Sequence, residues 1–207
     1  NMFTSKVTPT SQLQEIIKED EVDKKSKAMY LISIHTLFKR YGARRHPKLD
    51  SFEILKSEGA LTEYAYVPPQ STLIYASHEW VGNDHPDPRG DQMYHLLLLL
   101  ERLQRGDVDR TDMDAMHSLI YKQNHTTTAE DWKRTLDSQT TYIFYDGFCV
   151  PKEKRDEGFL SIPAYIKRCD FMIILAPGCT HFDKIDPRTG RKMNLCYRTY
   201  RLRARCV

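Results

Sequence analysis

Thr72-Leu73-Ile74-Tyr75-Ala76-Ser77 is a short run with an apolar centre, rich in β-branched and aromatic side chains. Consecutive apolar side chains point to opposite faces of a strand, so such a run suits a strand buried on both sides. Two later runs share this grammar: Thr141-Tyr142-Ile143-Phe144-Tyr145-Asp146 and Phe171-Met172-Ile173-Ile174-Leu175-Ala176. Helical patterns separate them, over Gly90 to Gln104, Asp112 to Lys122, Ala129 to Asp137 and Ile162 to Arg168. Strands alternating with helices predict right-handed crossovers, and hence an α/β fold with a parallel sheet flanked by helices. Its expected core includes Ile74, Tyr75, Ile143, Phe144, Ile173 and Ile174.

Upstream, Pro68 and Pro69 cannot continue a helix and mark a boundary. Before them, Ser11 is placed to cap one helix. Ser26 is placed to cap a second, in which Met29, Tyr30, Leu37, Phe38 and Tyr41 recur at helical spacing before Gly42. A third is expected from Asp50 to Lys56. Residues 1–69 thus read as a helical extension, and 70–207 as the α/β domain.

The composition, 40% hydrophobic and 29% charged over 207 residues, is that of a globular chain with one sizeable core. Its apolar stretches, among them Leu96 to Leu100 and Phe171 to Ala176, are far short of the roughly 20 residues that cross a bilayer, and no leader pattern opens the sequence. A cytoplasmic protein with no membrane association is expected. The 5 cysteines all lie in the C-terminal third without a CxxC pair, which suits reduced thiols better than disulfides or metal ligands. From Lys184 onward the chain carries a formal charge of +7, and the remainder carries −4. That basic C-terminal strip suits self-association or an acidic protein partner. Nucleic acid is not expected, because no aromatic interleaving or reader motif accompanies the charge.

Ligands of open parallel sheets bind beyond the carboxyl ends of the strands. This rule selects three loops: Ser77 to Gly82, Asp146 to Pro151, and Pro177 to Cys179. They bring together Ser77, His78, Trp80, Asp146 and Phe148 as a candidate nucleotide pocket, with an aromatic face for a base and polar groups for ribose or phosphate. Plainer roles stand beside these: a strand-end hydrogen bond for Ser77, a partly buried imidazole for His78, and capping of loop amides by Asp146. Cys149, between Phe148 and Val150, reads as packing. The loop from Asn83 to Asp91 lacks calcium-loop spacing; Gly90 and Asp91 open the next helix, with Asp91 expected to cap it. No metal site is expected.

The same residues carry a family resemblance. SHEWVG, Ser77 to Gly82, resembles the Ser-His-x-Trp-Gly signature that opens the fungal heterokaryon-incompatibility (HET) domain. YIFYDGFCVPK, Tyr142 to Lys152, resembles its second signature, and IPAYIKRCDFMIIL, Ile162 to Leu175, is similar to the helix and strand that follow. The resemblance runs from about Ser71 to Val207, with Val81 inserted, Phe144 in place of tryptophan and Lys152 in place of glutamine. HET domains are similar in turn to Toll/interleukin-1 receptor (TIR) domains. What this implies is a flavodoxin-like fold, a role in immunity and cell-death signalling, and NAD as a substrate rather than a bound cofactor. It also implies a Trp-Cys pair, where Arg205-Cys206 falls, and a catalytic glutamate shortly after. That glutamate has no counterpart up to Val207, so no catalytic residue is assigned, and Glu79 is not put in its place. The resemblance further implies a helix over Arg201 to Cys206, although strict alternation there also fits an edge strand. The competing expectation for function is a non-catalytic assembly module.

Overall fold

The computed structural model describes residues 28–42, 45–112, 126–136, 139–152 and 160–203. In chain order, β1 (Tyr30–Ser33) runs into α1 (Ile34–Tyr41), followed by α2 (Phe52–Ser57) and β2 (Leu61–Glu63). Next come β3 (Thr72–His78), α3 (Asp91–Arg105), β4 (Arg110–Asp112), β5 (Thr126–Thr128) and α4 (Ala129–Thr135). β6 (Thr141–Phe144), the single turn α5 (Asp146–Cys149), α6 (Ile162–Lys167) and β7 (Phe171–Leu175) complete the main sheet. The hairpin β8 (Cys179–Ile185) and β9 (Lys192–Leu195) then leads into α7 (Tyr197–Arg203).

The main sheet has the order β2-β1-β6-β3-β7. β6, β3 and β7 are parallel, with Ile74 opposite both Ile143 and Phe171, as the apolar runs predict. Ile74 and Tyr75, and Ile143 and Phe144, are all buried although neighbours point to opposite faces, so both faces of this centre are covered. At the edge, however, β7 alternates: Ile173 packs against the core, while Ile174, expected inside, is 46% exposed.

Two expectations are corrected. The sheet is mixed, because β1 pairs antiparallel with β6 on one side and with β2 on the other. And the segment read as a helix from Ser26 is a strand followed by a helix. Leu31 and Ile32, wholly buried between two strands, gain more from both-face burial than from continuing the helix, a case of tertiary packing overriding periodicity. The switch falls at Ser33, whose hydroxyl accepts the Thr36 N–H at 3.2 Å and caps α1. Residues read as a purely helical extension therefore supply two strands of the same sheet. The expected Ser11 helix, the Ser26 cap and most of the Asp112 to Lys122 helix lie outside the described residues.

α2, α3, α4 and α6 form within a few residues of their expected positions. α3 starts differently in detail. Gly90 precedes it at φ +71°, where a Cβ would collide with the Pro47 backbone, and Asp91 is the first helical residue rather than the cap. The capping carboxylate is Asp87, whose Oδ2 accepts the Met93 N–H at 2.9 Å. Of the helix the resemblance implies over Arg201 to Cys206, Arg201 to Arg203 are helical, as the end of α7, and the remainder lies outside the described residues. Among the described residues no helix is long and apolar enough to cross a membrane.

Candidate functional site

β3 and β6 run parallel, so their carboxyl ends carry His78 and Asp146 to the same edge of the sheet. His78 Nε2 lies 2.5 Å from Asp146 Oδ1, and Trp80 Nε1–H donates to Asp146 Oδ2 at 3.0 Å. From α3, Gln92 Nε2 donates to the Glu79 carbonyl at 2.8 Å. That bond orients the amide, so the atom 2.9 Å from His78 Nδ1 is the acceptor Oε1. Each imidazole nitrogen thus faces an acceptor, which a hydrogen on both satisfies.

This arrangement favours the imidazolium form of His78, buried to 1% side-chain exposure beside an Asp146 carboxylate at 12%. Burial works against both charges. The Asp146 charge and its hydrogen bond nonetheless raise the His78 pKa above its ordinary value, while His78 and Trp80 lower that of Asp146. Tyr145 adds a stacked ring 4.3 Å from the imidazole centroid at 4°, a cation–π contact. In that form His78 has no lone pair free to act as a base, and it holds Asp146 anionic and in place. Gly147 is required next to it, since a Cβ there would meet the Tyr145 ring at 2.6 Å and Pro86 at 2.7 Å.

Asp146 and Trp80 form one wall of a cleft of about 250 Å³. Asp84, His85, Pro86 and Lys152 also line it. Leu49 to Glu53, from the N-terminal segment, complete the lining together with Gly147 and Val150. There Arg40 holds Asp50 Oδ2 through Nε at 3.2 Å and Nη2 at 3.0 Å, and the Tyr41 hydroxyl donates to the same oxygen at 3.0 Å. Burial lowers the His85 pKa, and its Nδ1 accepts the Asp87 N–H at 3.0 Å, so this ring is neutral.

Of the five expected pocket residues, Trp80 and Asp146 line the cleft, and His78 stands behind Asp146. Ser77 turns away to α7, its Oγ 2.6 Å from Tyr200 Oη. Phe148 is corrected to a core residue: it is wholly buried, between the rings of Tyr41 and Tyr145, because the α5 turn swings it inward. Glu79 likewise meets α7, with Oε2 3.0 Å from Thr199 Oγ1. Sequence reasoning missed Gln92 and the Leu49 to Glu53 lining. Nothing local marks Gln92, whereas α2 itself was expected, from Asp50 to Lys56, without any role for it in a site. Cys149 is packing, its thiol pushed well up by burial. Among the described residues, no group of three or more His, Cys, Asp or Glu is arranged to hold a metal ion. Compared with family models, curated proteins and solved structures, the chain matches none.

Proposed function

We propose that this chain is a HET/TIR-like signalling domain of flavodoxin-like fold, whose cleft takes the nucleoside end of an NAD-type nucleotide. The observation that carries this reading is the pairing of an indole and a fixed carboxylate, Trp80 and Asp146, on one wall at the carboxyl ends of two parallel strands. An indole face stacks on a planar ring, and an anionic carboxylate accepts ribose hydroxyls. About 250 Å³ is below the about 300–1,000 Å³ of pockets that enclose drug-sized ligands, so a nucleoside fits and the phosphates extend outward. Carboxylates at Asp50, Glu53 and Asp84 disfavour phosphate inside the cleft, and Lys152 is the one cation among its described lining residues.

In a longer protein with a glutamate within a few positions after Val207, the same cleft would cleave the nicotinamide–ribose bond, the carboxylate stabilising the oxocarbenium-like charge as nicotinamide leaves. Calorimetry with NAD, nicotinamide riboside and adenosine tests the binding step. Saturable binding, weakened about tenfold or more in Trp80→Ala, is the expected result. A second reading, an assembly module, draws on the exposed Met172, Ile174, Phe182 and Ile185. No heat at millimolar nucleotide, together with self-association that weakens with salt, would favour it.

A further inference from the structure

The β8–β9 hairpin and α7 enclose a second concavity, about 590 Å³, on the basic strip. Arg188, Arg191 and Lys192 outnumber its one carboxylate, Asp186, while Met193 and Leu202 give it apolar surface and Thr199 a hydroxyl. Little of that charge is neutralised. Arg188 reaches Asp186 only at 3.6 Å with its side chain 89% exposed, and Lys192 Nζ donates to the Phe182 carbonyl, which carries no charge. Arg191, with Lys184 and Arg198 nearby in the chain, makes no ion pair among the described residues. Leu202 is 56% exposed, an apolar side chain left in water beside this charge.

Cations around an apolar floor complement an extended chain that alternates acidic and apolar side chains. No described lining residue is aromatic, so the groove lacks the stacking platforms that single-stranded nucleic acid uses. α7 also joins the groove to the strand ends. Thr199, which lines the groove, is 3.0 Å from Glu79 Oε2, and the Glu79 carbonyl anchors the Gln92 amide that faces His78. Tyr200 on the same helix meets Ser77.

We propose that this groove docks an acidic linear peptide carrying apolar residues, and that docking is felt at the strand-end cluster through Thr199 and Glu79. The proposal holds whatever the cleft binds. Its test is fluorescence anisotropy with a labelled Glu-Leu-Glu-Glu-Leu-Glu peptide, beside a Gln-for-Glu counterpart and an oligothymidylate of equal charge. The acidic peptide should bind and be released by about 1 M salt, where screening extends about 3 Å. Arg191→Glu with Lys192→Glu, both surface changes, should weaken binding about 30-fold, and Leu202→Ser several-fold. Docking should shift the Trp80 indole N–H resonance, and Glu79→Ala, outside the groove lining, should abolish that shift while keeping the affinity. Equal binding of the Gln peptide, indifference to charge reversal, or tighter binding of the oligonucleotide would overturn the docking. So would association of the protein with itself, lost on charge reversal, in the absence of peptide binding: a second copy would then own the groove. An unmoved Trp80 resonance on peptide saturation would overturn the coupling.

Discussion

His78 with Asp146 and Arg188 with Asp186 are both opposite-charge pairs, yet they differ in every physical respect. The first is buried, 2.5 Å long, and both imidazole nitrogens and both Asp146 carboxylate oxygens meet a partner from another element. The second is 3.6 Å long on an exposed hairpin turn, four-fifths or more of the arginine in water. Desolvation makes the buried pair costly to break and specific in geometry. Solvation makes the exposed pair cheap and free to exchange partners. The strand ends are therefore built to hold one arrangement, and the hairpin to meet something else.

The sharpest way to break that contrast is Asp146→Ala. It strands a buried imidazolium and the Trp80 N–H, and should cost about 3–5 kcal/mol in urea unfolding, whereas Lys184→Ala on the hairpin should leave the midpoint unchanged. Equal effects would mean that the buried pair is not under strain of desolvation. A smaller effect is expected with pH. The folded pKa of His78 is raised, so its contribution is complete below about 6.5 and fades as pH climbs through the folded value. That of Asp146 is lowered, so its contribution is complete above about 3.9 and fades as pH falls through the folded value. Urea midpoints should therefore show this pair's support at its fullest between those limits, and His78→Gln should flatten the alkaline side. The last contrast leaves stability untouched. Cys196 is exposed, and the Thr199 and Arg198 N–H groups lower its thiol pKa, whereas burial raises Cys169 to about 12 and Cys179 to about 11. Iodoacetamide followed by peptide mapping should find Cys196 alkylated well before Cys149, Cys169 and Cys179.

Where the sequence was legible, the local pattern and the global environment agreed. β3 and β6 are apolar on both faces because both faces are covered, so Ile74 and Ile143 are recognisable without knowing their partners. Leu31 and Ile32 carry the same message in only four residues, and the Leu37 to Tyr41 helix beside them pulled the reading towards one continuous helix. The hairpin lacks alternation, since Phe182 to Ile185 are all exposed, but Asp186-Pro187-Arg188-Thr189-Gly190 was a turn signal, with Gly190 at φ +65°. At the strand ends, polar residues after an apolar run picked out positions that the structure brings into contact, His78, Trp80 and Asp146. Side-chain direction was not in the pattern: one turn of α5 sends Phe148 inward, and the pairing of β3 with α7 turns Ser77 away.

Strand order also sets a timetable. β1 lies between β2, its near neighbour in sequence, and β6, with Ile32 opposite Ile143. On a ribosome adding about 5–20 residues per second, the roughly 110 intervening residues keep one edge of β1 unpaired for about 5–20 s. Through that interval Leu31 and Ile32 belong to a two-stranded ribbon, too small to be stable alone. Folding is then gated by late, long-range closure, and the nascent chain is most vulnerable to wrong pairing at the strand that finally sits beside the site.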